Sequence, residues 1–190
     1  MELRDESGHT EEEFLASYSP KDYPRPSLTA DIVIYDKDTN SVLLIKRKGH
    51  PYLGHFAFPG GFANPGETIE ETAKRELEEE TNVNGLEFIP IGLFTKPGRD
   101  PRGWTVSQAF LSVVSGKDIH PEAGDDAAET EWFEISQKDD TIILNSAKLS
   151  LKVDKEKSDL AFDHGDILRS ALSMINKNKE TEGMELCTKL

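Results

Sequence analysis

A dense group of glutamates follows a turn rich in glycine and proline, in the sequence GGFANPGETIEETAKRELEEETNV of residues 60–83. Like charges at helical spacing repel one another, so stability alone does not favour such a group. On a helix, Glu76, Glu79 and Glu80 would share one face, and Glu67 just precedes the first turn. Clustered carboxylates suit hard divalent cations, and magnesium is common where phosphates complete the coordination shell. The alternative is a solvated acidic surface.

Two features favour a metal site over a solvated surface. The glycine turn would let the backbone approach closely just before the helix. An apolar stripe of Ile69, Ala73 and Leu77 lies beside the glutamates rather than opposite them, so a docked helix would hold its carboxylates at the rim of the contact. Arg75 could orient one carboxylate through a two-pronged hydrogen bond.

The same segment resembles the Nudix box, in which glycine, glutamate, an Arg-Glu pair and a Glu-Glu pair recur at fixed intervals. The matching residues are Gly61, Glu67, Arg75, Glu76, Leu77, Glu79, Glu80 and Val83. Asn82 stands where the family usually has glycine, and asparagine tolerates the left-handed backbone that ends a helix. The resemblance implies a Nudix hydrolase, which cleaves a nucleoside diphosphate linked to another group.

The resemblance also implies roles for these residues. Glu76, Glu79 and Glu80 would bind Mg²⁺, with Mn²⁺ as an alternative. Glu67 and the carbonyl of Gly61 would assist, and Arg75 would belong to the catalytic group. Metal ions can neutralise the oxygens of a pyrophosphate and lower the pKa of a bound water, so the repulsion among the glutamates would be relieved by the cation.

Composition narrows the classes of protein. The 190 residues are 36% hydrophobic and 31% charged, which is typical of one globular domain, and no apolar stretch is long enough for a membrane. A net charge of −14 disfavours binding to nucleic acid. Cys187 is the single cysteine, so no internal disulfide can form, and the N-terminus lacks an apolar signal region. We therefore expect a cytoplasmic protein with a small-molecule substrate.

Periodicity and turn residues predict strands and helices in alternation. The predicted strands are 28–35, 41–47, a short one around 56–58, 86–96, 104–114 and 130–136, and the predicted helices are a short one after Thr10, 68–81 and 160–177. This order predicts an α/β sandwich with a mixed sheet, and the resemblance specifies the Nudix α/β/α form. The expected divisions are an acidic helix and linker (1–26), the Nudix domain (27–178) and a flexible tail (179–190).

Segments outside the box bear on the substrate. Pro97 and the strings GRDPRGW, YPRPSLTADIVIY and DLAFDHGDIL resemble the ADP-ribose pyrophosphatase branch of the family, whose members release AMP and ribose 5-phosphate. On this resemblance, Arg99 and Arg102 would contact phosphates or ribose hydroxyls, because arginine is a rigid, multiple donor. The alternative for both is a charged surface loop.

Several other candidate residues have both a functional and a structural interpretation. A catalytic base is expected in an acidic loop, and the candidates are Asp125, Asp126 and Glu129, although the loop could equally be solvated surface. Four aromatic residues could stack on adenine, although packing is the more common role for each; they are Tyr52, Phe56, Phe58 and Trp104. His55 and His164 lack metal-ligand spacing and are expected to be structural or surface residues.

The rival class is a binding module. Some regulators of NAD metabolism have a similar Nudix domain that takes ADP-ribose as a ligand, and they add a basic DNA-binding domain after the terminal helix. The last dozen residues here, KETEGMELCTKL, are neither basic nor long, which favours the enzyme. Hydrolysis of another nucleotide sugar or of a dinucleotide is a further alternative, and a homodimer is compatible with the family.

Overall fold

The computed structural model describes residues 3–19, 21, 23–124 and 127–187. Its elements in chain order are α1 (Glu11–Ser17), β1 (Ser27–Asp36), β2 (Ser41–Arg47), β3 (Phe56–Ala57), β4 (Gly60–Phe62), α2 (Ile69–Thr81), β5 (Ile89–Phe94), β6 (Thr105–Val114), β7 (Ala127–Lys138), β8 (Thr141–Asn145), β9 (Ser150–Val153) and α3 (His164–Cys187). A short 3₁₀ turn, Gly116–Asp118, follows β6.

Across the described residues, the strands form one nine-stranded sheet. Seven strands lie in the order β5-β6-β1-β2-β7-β8-β9, while β3 pairs with β2 and β4 pairs with β1. β1 runs parallel to β6 and antiparallel to β2 and β4. The predicted mixed sheet is therefore confirmed, and so is the hairpin of β1 and β2.

The central strand β1 is buried on both faces, which explains its continuous apolar sequence. Ile32 and Ile34 pack in a cluster with Leu77 of α2. Val33 and Tyr35 point the other way and pack in a second cluster with Ile167 of α3. The two helices thus cover opposite faces of the sheet, as the predicted α/β/α sandwich requires.

Helix α2 begins and ends as its sequence predicts. The hydroxyl of Thr68 accepts a hydrogen bond from the backbone N–H of Glu71, whose carboxylate accepts one from the backbone N–H of Thr68, so the capping box is complete. Asn82 ends the helix in the left-handed conformation, with φ 57°. Both ends of the helix that holds the glutamates are thereby fixed.

The structure differs from the prediction in the second half of the chain. β7 has 12 residues and is longer than expected, and the short strands β8 and β9 were not predicted. α3 begins at His164 rather than at residue 160, because Phe162 has a left-handed backbone that a helix excludes, and it ends at Cys187. No helix in the described ranges is long and apolar enough to cross a membrane.

Candidate active site

Glu80 lies where the last turn of α2 meets β4. Its carboxylate accepts a hydrogen bond of 2.8 Å from the backbone N–H of Gly60, and the residue is only 7% exposed. Burial raises the pKa of Glu80 to about 8, and the nearby carboxylates of Glu76 and Asp31 add to the rise. A bound cation would stabilise the ionised form of such a carboxyl group.

Arg75 contacts three of the box glutamates rather than the one expected. Its guanidinium donates to Glu67 at 2.7 Å, to Glu76 at 2.7 Å and to Glu79 at 3.0 Å. It also donates to the carbonyl of Phe62 at 2.9 Å, which ties α2 to β4. Hydrogen bonds from Arg75 hold the pKa of Glu67 well below its usual range. The carboxylates are therefore oriented toward one cationic centre.

Two glycines of β4 allow the carboxylates to approach the backbone. A Cβ on Gly61 would lie 2.4 Å from the carboxyl carbon of Glu76, which is closer than any real side chain permits. A Cβ on Gly60 would lie 2.1 Å from the carbonyl oxygen of Ala30 on the paired strand β1. Glycine is thus required at Gly60 by the backbone of β1, whereas a Cβ at Gly61 would displace the carboxylate of Glu76.

The donors at this site fit a divalent cation by their chemistry. Three carboxylates, those of Glu67, Glu76 and Glu79, surround the Arg75 guanidinium, and Glu80 adds a fourth from the same helix, so negative charge is in excess. In the part of the chain that the structure describes, no three acidic, histidine or cysteine side chains stand ready-made as a metal site. Arg75 instead donates hydrogen bonds to three of these carboxylates. Hard oxygen donors in excess suit Mg²⁺ or a similar ion.

A cleft of about 620 Å³ lies beside these carboxylates. Its walls carry both signs of charge, with Glu76 and Glu80 on one side and the basic side chains Arg47, Lys48 and Arg102 nearby. Gly60 and Gly61 form part of the same wall. An anion and a cation could therefore bind next to each other in this cleft.

Of the two arginines predicted to contact the substrate, Arg102 lines this cleft. Its guanidinium forms a two-pronged ion pair with Asp100, with the closest contact at 2.7 Å, and its side chain is 42% exposed. It also lies over the ring of Phe62, with 4.6 Å between the guanidinium carbon and the ring centroid. The expectation for Arg102 is compatible with its position.

Arg99 has a different environment from the one expected. Its side chain is 5% exposed and donates to both carboxylate oxygens of Asp163, at 2.8 and 2.6 Å. A further contact of 3.4 Å joins it to Asp31. These buried ion pairs hold its guanidinium in the fold, so Arg99 connects the loop after β5 with the residue before α3. Its contact with a substrate stays a prediction.

His164 completes this buried network and is structural, as expected. Its Nδ1 accepts a hydrogen bond from the backbone N–H of Phe58 at 2.9 Å, and its Nε2 lies 3.5 Å from Asp31. The pKa of Asp31 is lowered despite its burial, because His164, Ser107 and Arg99 surround its carboxylate. The sequence strings around residues 31, 99 and 163 indicated a family branch but not this contact.

Two unpredicted residues, Arg47 and Phe162, line a smaller pocket beside the cleft, which shares Arg47 and Arg102 with it. Arg47 ends β2 and lies with its guanidinium carbon 4.9 Å from the ring centroid of Phe162. Arg102 lies 5.4 Å from the same ring centroid. The available signals were the basic end of the strand SVLLIKR and the string AFDH, but neither indicates that the two would meet.

The acidic loop approaches the end of α2. The backbone N–H of Gly124 donates to the carbonyl of Glu80 at 3.0 Å, and that of Glu122 donates to Thr81 at 2.9 Å. Of the three candidate bases, Asp125 and Asp126 lie outside the described residues. Glu129 lies on β7 and forms an ion pair with Lys148.

The four aromatic residues that could stack on adenine differ in how exposed their side chains are. Phe56 and Phe58 are 3% and 1% exposed and belong to the core, which leaves no free face for a nucleobase. Tyr52 is 36% exposed and packs on Phe162, with 4.8 Å between ring centroids. Trp104 is 57% exposed. The packing role that was the more common expectation holds for the two phenylalanines.

Comparison with known proteins agrees with the fold. The NUDIX domain family model matches residues 25–150. An ADP-ribose pyrophosphatase of Methanocaldococcus jannaschii is 38% identical over 154 residues, which cover 81% of this chain and 78% of that protein. An ADPR responsive transcriptional repressor of Acinetobacter baylyi is 30% identical over 171 residues, which cover 88% of this chain and 61% of the repressor.

The crystal structure of a MutT/nudix family protein from Enterococcus faecalis superposes with a TM-score of 0.78 at 35% identity, covering 89% of this chain and 70% of that one. The chain belongs to the Nudix family. Its similarity to a pyrophosphatase over most of both chains makes it, more particularly, a Nudix pyrophosphohydrolase. Both predictions, of the family and of the enzyme class, are confirmed.

Proposed function

We propose that this chain hydrolyses ADP-ribose to AMP and ribose 5-phosphate with the help of Mg²⁺. The main support is the single cleft that holds Glu76 and Glu80 beside Arg47 and Arg102. A pyrophosphate accompanied by cations needs both signs of charge at adjacent positions, with carboxylates for the metal and guanidiniums for the phosphates. The similarity to a protein named as an ADP-ribose pyrophosphatase supports this substrate.

In this proposal Glu76, Glu79 and Glu80 hold the cation, with Glu67 and the carbonyl of Gly61 beside them. Bound Mg²⁺ would neutralise pyrophosphate oxygens and lower the pKa of a water molecule, and Mn²⁺ accepts the same oxygen ligands. Hydrogen bonds from Arg75 lower the pKa of Glu67, so its carboxylate stays ionised well below neutral pH. Arg75 thus orients the carboxylates around the reacting centre.

In the proposed reaction, a water oxygen bonds to one phosphorus while the bond from that phosphorus to the bridging oxygen breaks. Arg102 would donate hydrogen bonds to a phosphate, whose charge grows as the bond breaks. The proton of the water would pass to Asp125, Asp126 or Glu129. The contact between Gly124 and Glu80 supports the first two, because it places the residue before Asp125 beside the helix of the glutamates.

The proposed setting follows from charge and composition. A small-molecule nucleotide is the proposed partner rather than nucleic acid, because a net charge of −14 repels a phosphate backbone. We also propose a cytoplasmic protein that makes no membrane contact, since the single cysteine, Cys187, suits a reducing compartment. A homodimer remains a proposal for which sedimentation is the test.

The second candidate function is ADP-ribose sensing without catalysis. It is favoured by the 30% identity with an ADPR responsive transcriptional repressor. The complete set of box glutamates argues for the enzyme, because a ligand-binding module needs no excess of carboxylates at its diphosphate site.

The experiment that separates these candidates is a substrate panel. Purified protein with Mg²⁺ would be incubated with ADP-ribose, other nucleotide sugars, NAD and diadenosine polyphosphates, while AMP release is followed by chromatography. We expect ADP-ribose to be cleaved fastest. Cleavage of another member would change the substrate but keep the reaction, and tight binding of ADP-ribose without cleavage of any member would support the sensor.

A further inference from the structure

Two aromatic residues in contact share an uncommon backbone conformation. Tyr52 has φ 61° and Phe162 has φ 52°, both in the left-handed region, and their ring centroids are 4.8 Å apart. Bulky residues seldom adopt this conformation, because the Cβ crowds the backbone. Such strain persists only where the surroundings enforce it, and it concentrates at functional sites.

The residues immediately before and after Phe162 are held by contacts with other segments, which fixes the position of Phe162. The backbone N–H of Ala161 donates to the carbonyl of Phe56 at 2.8 Å. Asp163 is held by the buried two-pronged ion pair with Arg99. The ring of Phe162 therefore has a fixed place in the smaller pocket beside the cleft.

Tyr52 belongs to the loop that surrounds Arg47. The Nε of Arg47 donates to the carbonyl of Pro51 at 2.8 Å, and the backbone N–H of His55 donates to the carbonyl of Tyr52 at 3.0 Å. The loop thus fixes Arg47 and places the Tyr52 ring against Phe162. Arg47 is therefore held by the loop of Tyr52 through the carbonyl of Pro51, and it lies over the ring of Phe162.

The Phe162 ring is the common neighbour of two guanidinium groups. The carbon atoms of Arg47 and Arg102 lie 4.9 and 5.4 Å from its centroid. Two guanidiniums this close repel each other, and the negative face of a ring offsets part of that repulsion. Asp100 accepts hydrogen bonds from the Nε and one Nη of Arg102, which takes up part of that guanidinium. The ring contact takes up no N–H donor, so it leaves both Nη groups of Arg47 for a ligand.

We propose that Phe162 is a positioning residue that keeps Arg47 and Arg102 together as a clamp for the diphosphate of the substrate. Among the described residues, neither Nη of Arg47 has a hydrogen-bond acceptor, so its fork faces the cleft with free donors. Adjacent phosphates present several oxygens at fixed spacing, which suits two rigid guanidiniums. The inference rests on the proposed function for the identity of the ligand as a diphosphate.

The test measures the affinity for inorganic pyrophosphate with Mg²⁺ by calorimetry. Phe162→Leu removes the ring but keeps an apolar side chain, Phe162→Tyr keeps the ring, and Phe88→Leu makes the same change on the other face of the sheet. We expect Phe162→Leu to bind about tenfold more weakly, as the loss of two cation–π contacts implies, and Phe162→Tyr to recover most of the affinity. Phe88→Leu should bind as the wild type does.

A second comparison separates positioning from packing. In an Arg47→Gln background, Phe162→Leu should weaken binding much less than about tenfold, because the ring then has one guanidinium fewer to hold. In ADP-ribose turnover, Phe162→Leu should raise KM more than it lowers kcat. Should Phe162→Leu lose its folded circular dichroism spectrum, Phe162→Met, which has a flexible side chain of similar size, takes its place.

Several results would overturn the inference: unchanged affinity in Phe162→Leu, an equal loss in Phe162→Tyr, full additivity with Arg47→Gln, or no binding of pyrophosphate to the wild type. Turnover of ADP-ribose by the wild type is measured separately. Absent turnover with the expected pyrophosphate affinities would refute the proposed function alone, and normal turnover with unchanged affinities would refute the clamp alone.

Discussion

Two walls of the cleft concentrate opposite charges and are built differently. The carboxylate wall, defined as Glu67, Glu76, Glu79 and Glu80, comes from α2 and the loop before it. Glu76 and Glu80 line the cleft, and Arg75 holds Glu67 and Glu79 next to Glu76. The guanidinium wall, defined as Arg47 and Arg102, joins β2 to the loop before β6, and the ring of Phe162 holds it. Arg75 is a cationic partner that keeps the anions in place. On the guanidinium wall Asp100 pairs with Arg102, while the neutral ring of Phe162 contacts both arginines and leaves the charge of Arg47 available.

This difference shows two solutions to the same electrostatic problem. Each wall gathers like charges whose repulsion lowers stability until a ligand of the opposite sign arrives. A helix can present carboxylates at fixed spacing from contiguous sequence. Arginines from separate segments need a common support, and at this site an aromatic ring provides it.

The largest expected effect comes from disabling the carboxylate wall. Glu79→Gln/Glu80→Gln removes two charges from the proposed metal site and should lower kcat/KM for ADP-ribose by about 1000-fold, because a bound metal contributes several kcal/mol to such a transition state. Steady-state kinetics across a Mg²⁺ titration provide the measurement. Glu78→Gln is the matched control, since Glu78 lies on the same helix with an exposed side chain outside the wall. An equal loss of kcat/KM in Glu78→Gln would show that the carboxylate wall contributes no more to catalysis than another glutamate of the same helix.

The next largest effect is expected on the free energy of unfolding, from the buried ion pairs of Arg99 with Asp163 and Asp31. Asp163→Asn leaves the guanidinium of Arg99 buried with weakened pairing, and we expect the free energy of unfolding to fall by about 3 kcal/mol. Urea denaturation measures it, with Asp139→Asn as the control. Asp139 is exposed with φ 55°, a conformation that asparagine also tolerates, so its variant should stay within about 0.5 kcal/mol of the wild type. Equal stability of the two variants would contradict a structural role for the Asp163–Arg99 pair.

The carboxylate wall should also give stability a particular pH dependence. The pKa of Glu80 is about 8 in the folded chain and ordinary in the unfolded one, so between these values the folded state holds the extra proton. Stability of the metal-free protein should therefore fall by about 3 kcal/mol as the pH rises from about 5 to about 8. Urea titrations at both pH values measure the change.

Glu80→Gln provides the control for this pH effect. The variant should lose most of the dependence, and added Mg²⁺ should restore stability to the wild type at the higher pH, because a ligand that binds the folded state stabilises it. Equal stability of the wild type at the two pH values would show that burial does not raise the pKa of Glu80.

The smallest of these effects is steric and local to β4. Gly61→Ala places a Cβ against the carboxyl group of Glu76, so the carboxylate must shift, and we expect turnover to fall about tenfold, as a misplaced group near the reacting centre does. In Gly49→Ala the added Cβ meets no atom within 4 Å, and its turnover should match the wild type. Equal rates for both variants would mean that the contact between Gly61 and Glu76 is unimportant for catalysis.

The carboxylate wall was predictable because its residues are contiguous in sequence. The capping box at Thr68 and the left-handed Asn82 fix α2, and the spacing of the glutamates then places them on one face. The strands β1 and β2 were predictable for a similar reason, since their apolar runs flank a turn. Local rules therefore sufficed for the sandwich and for one wall of its cleft.

The guanidinium wall depends on contacts that local rules do not reach. Arg99 and Asp163 are 64 positions apart, and their ion pair decides that Arg99 is buried while Arg102 faces the cleft. The left-handed backbone of Phe162 is imposed by such tertiary contacts against its own preference. β8 and β9 were missed because strands of five and four residues leave too little periodicity to identify.

The central claim is that both walls act on one bound diphosphate, and its most direct test is the coupling between metal and ligand. Calorimetry would measure the Mg²⁺ affinity of the wild type alone and with an ADP-ribose analogue whose bridging oxygen is replaced by a methylene group, so that hydrolysis cannot occur. The account predicts that the analogue tightens Mg²⁺ binding at least about tenfold, and that Mg²⁺ tightens analogue binding by the same factor. Equal Mg²⁺ affinity with and without the bound analogue would contradict it.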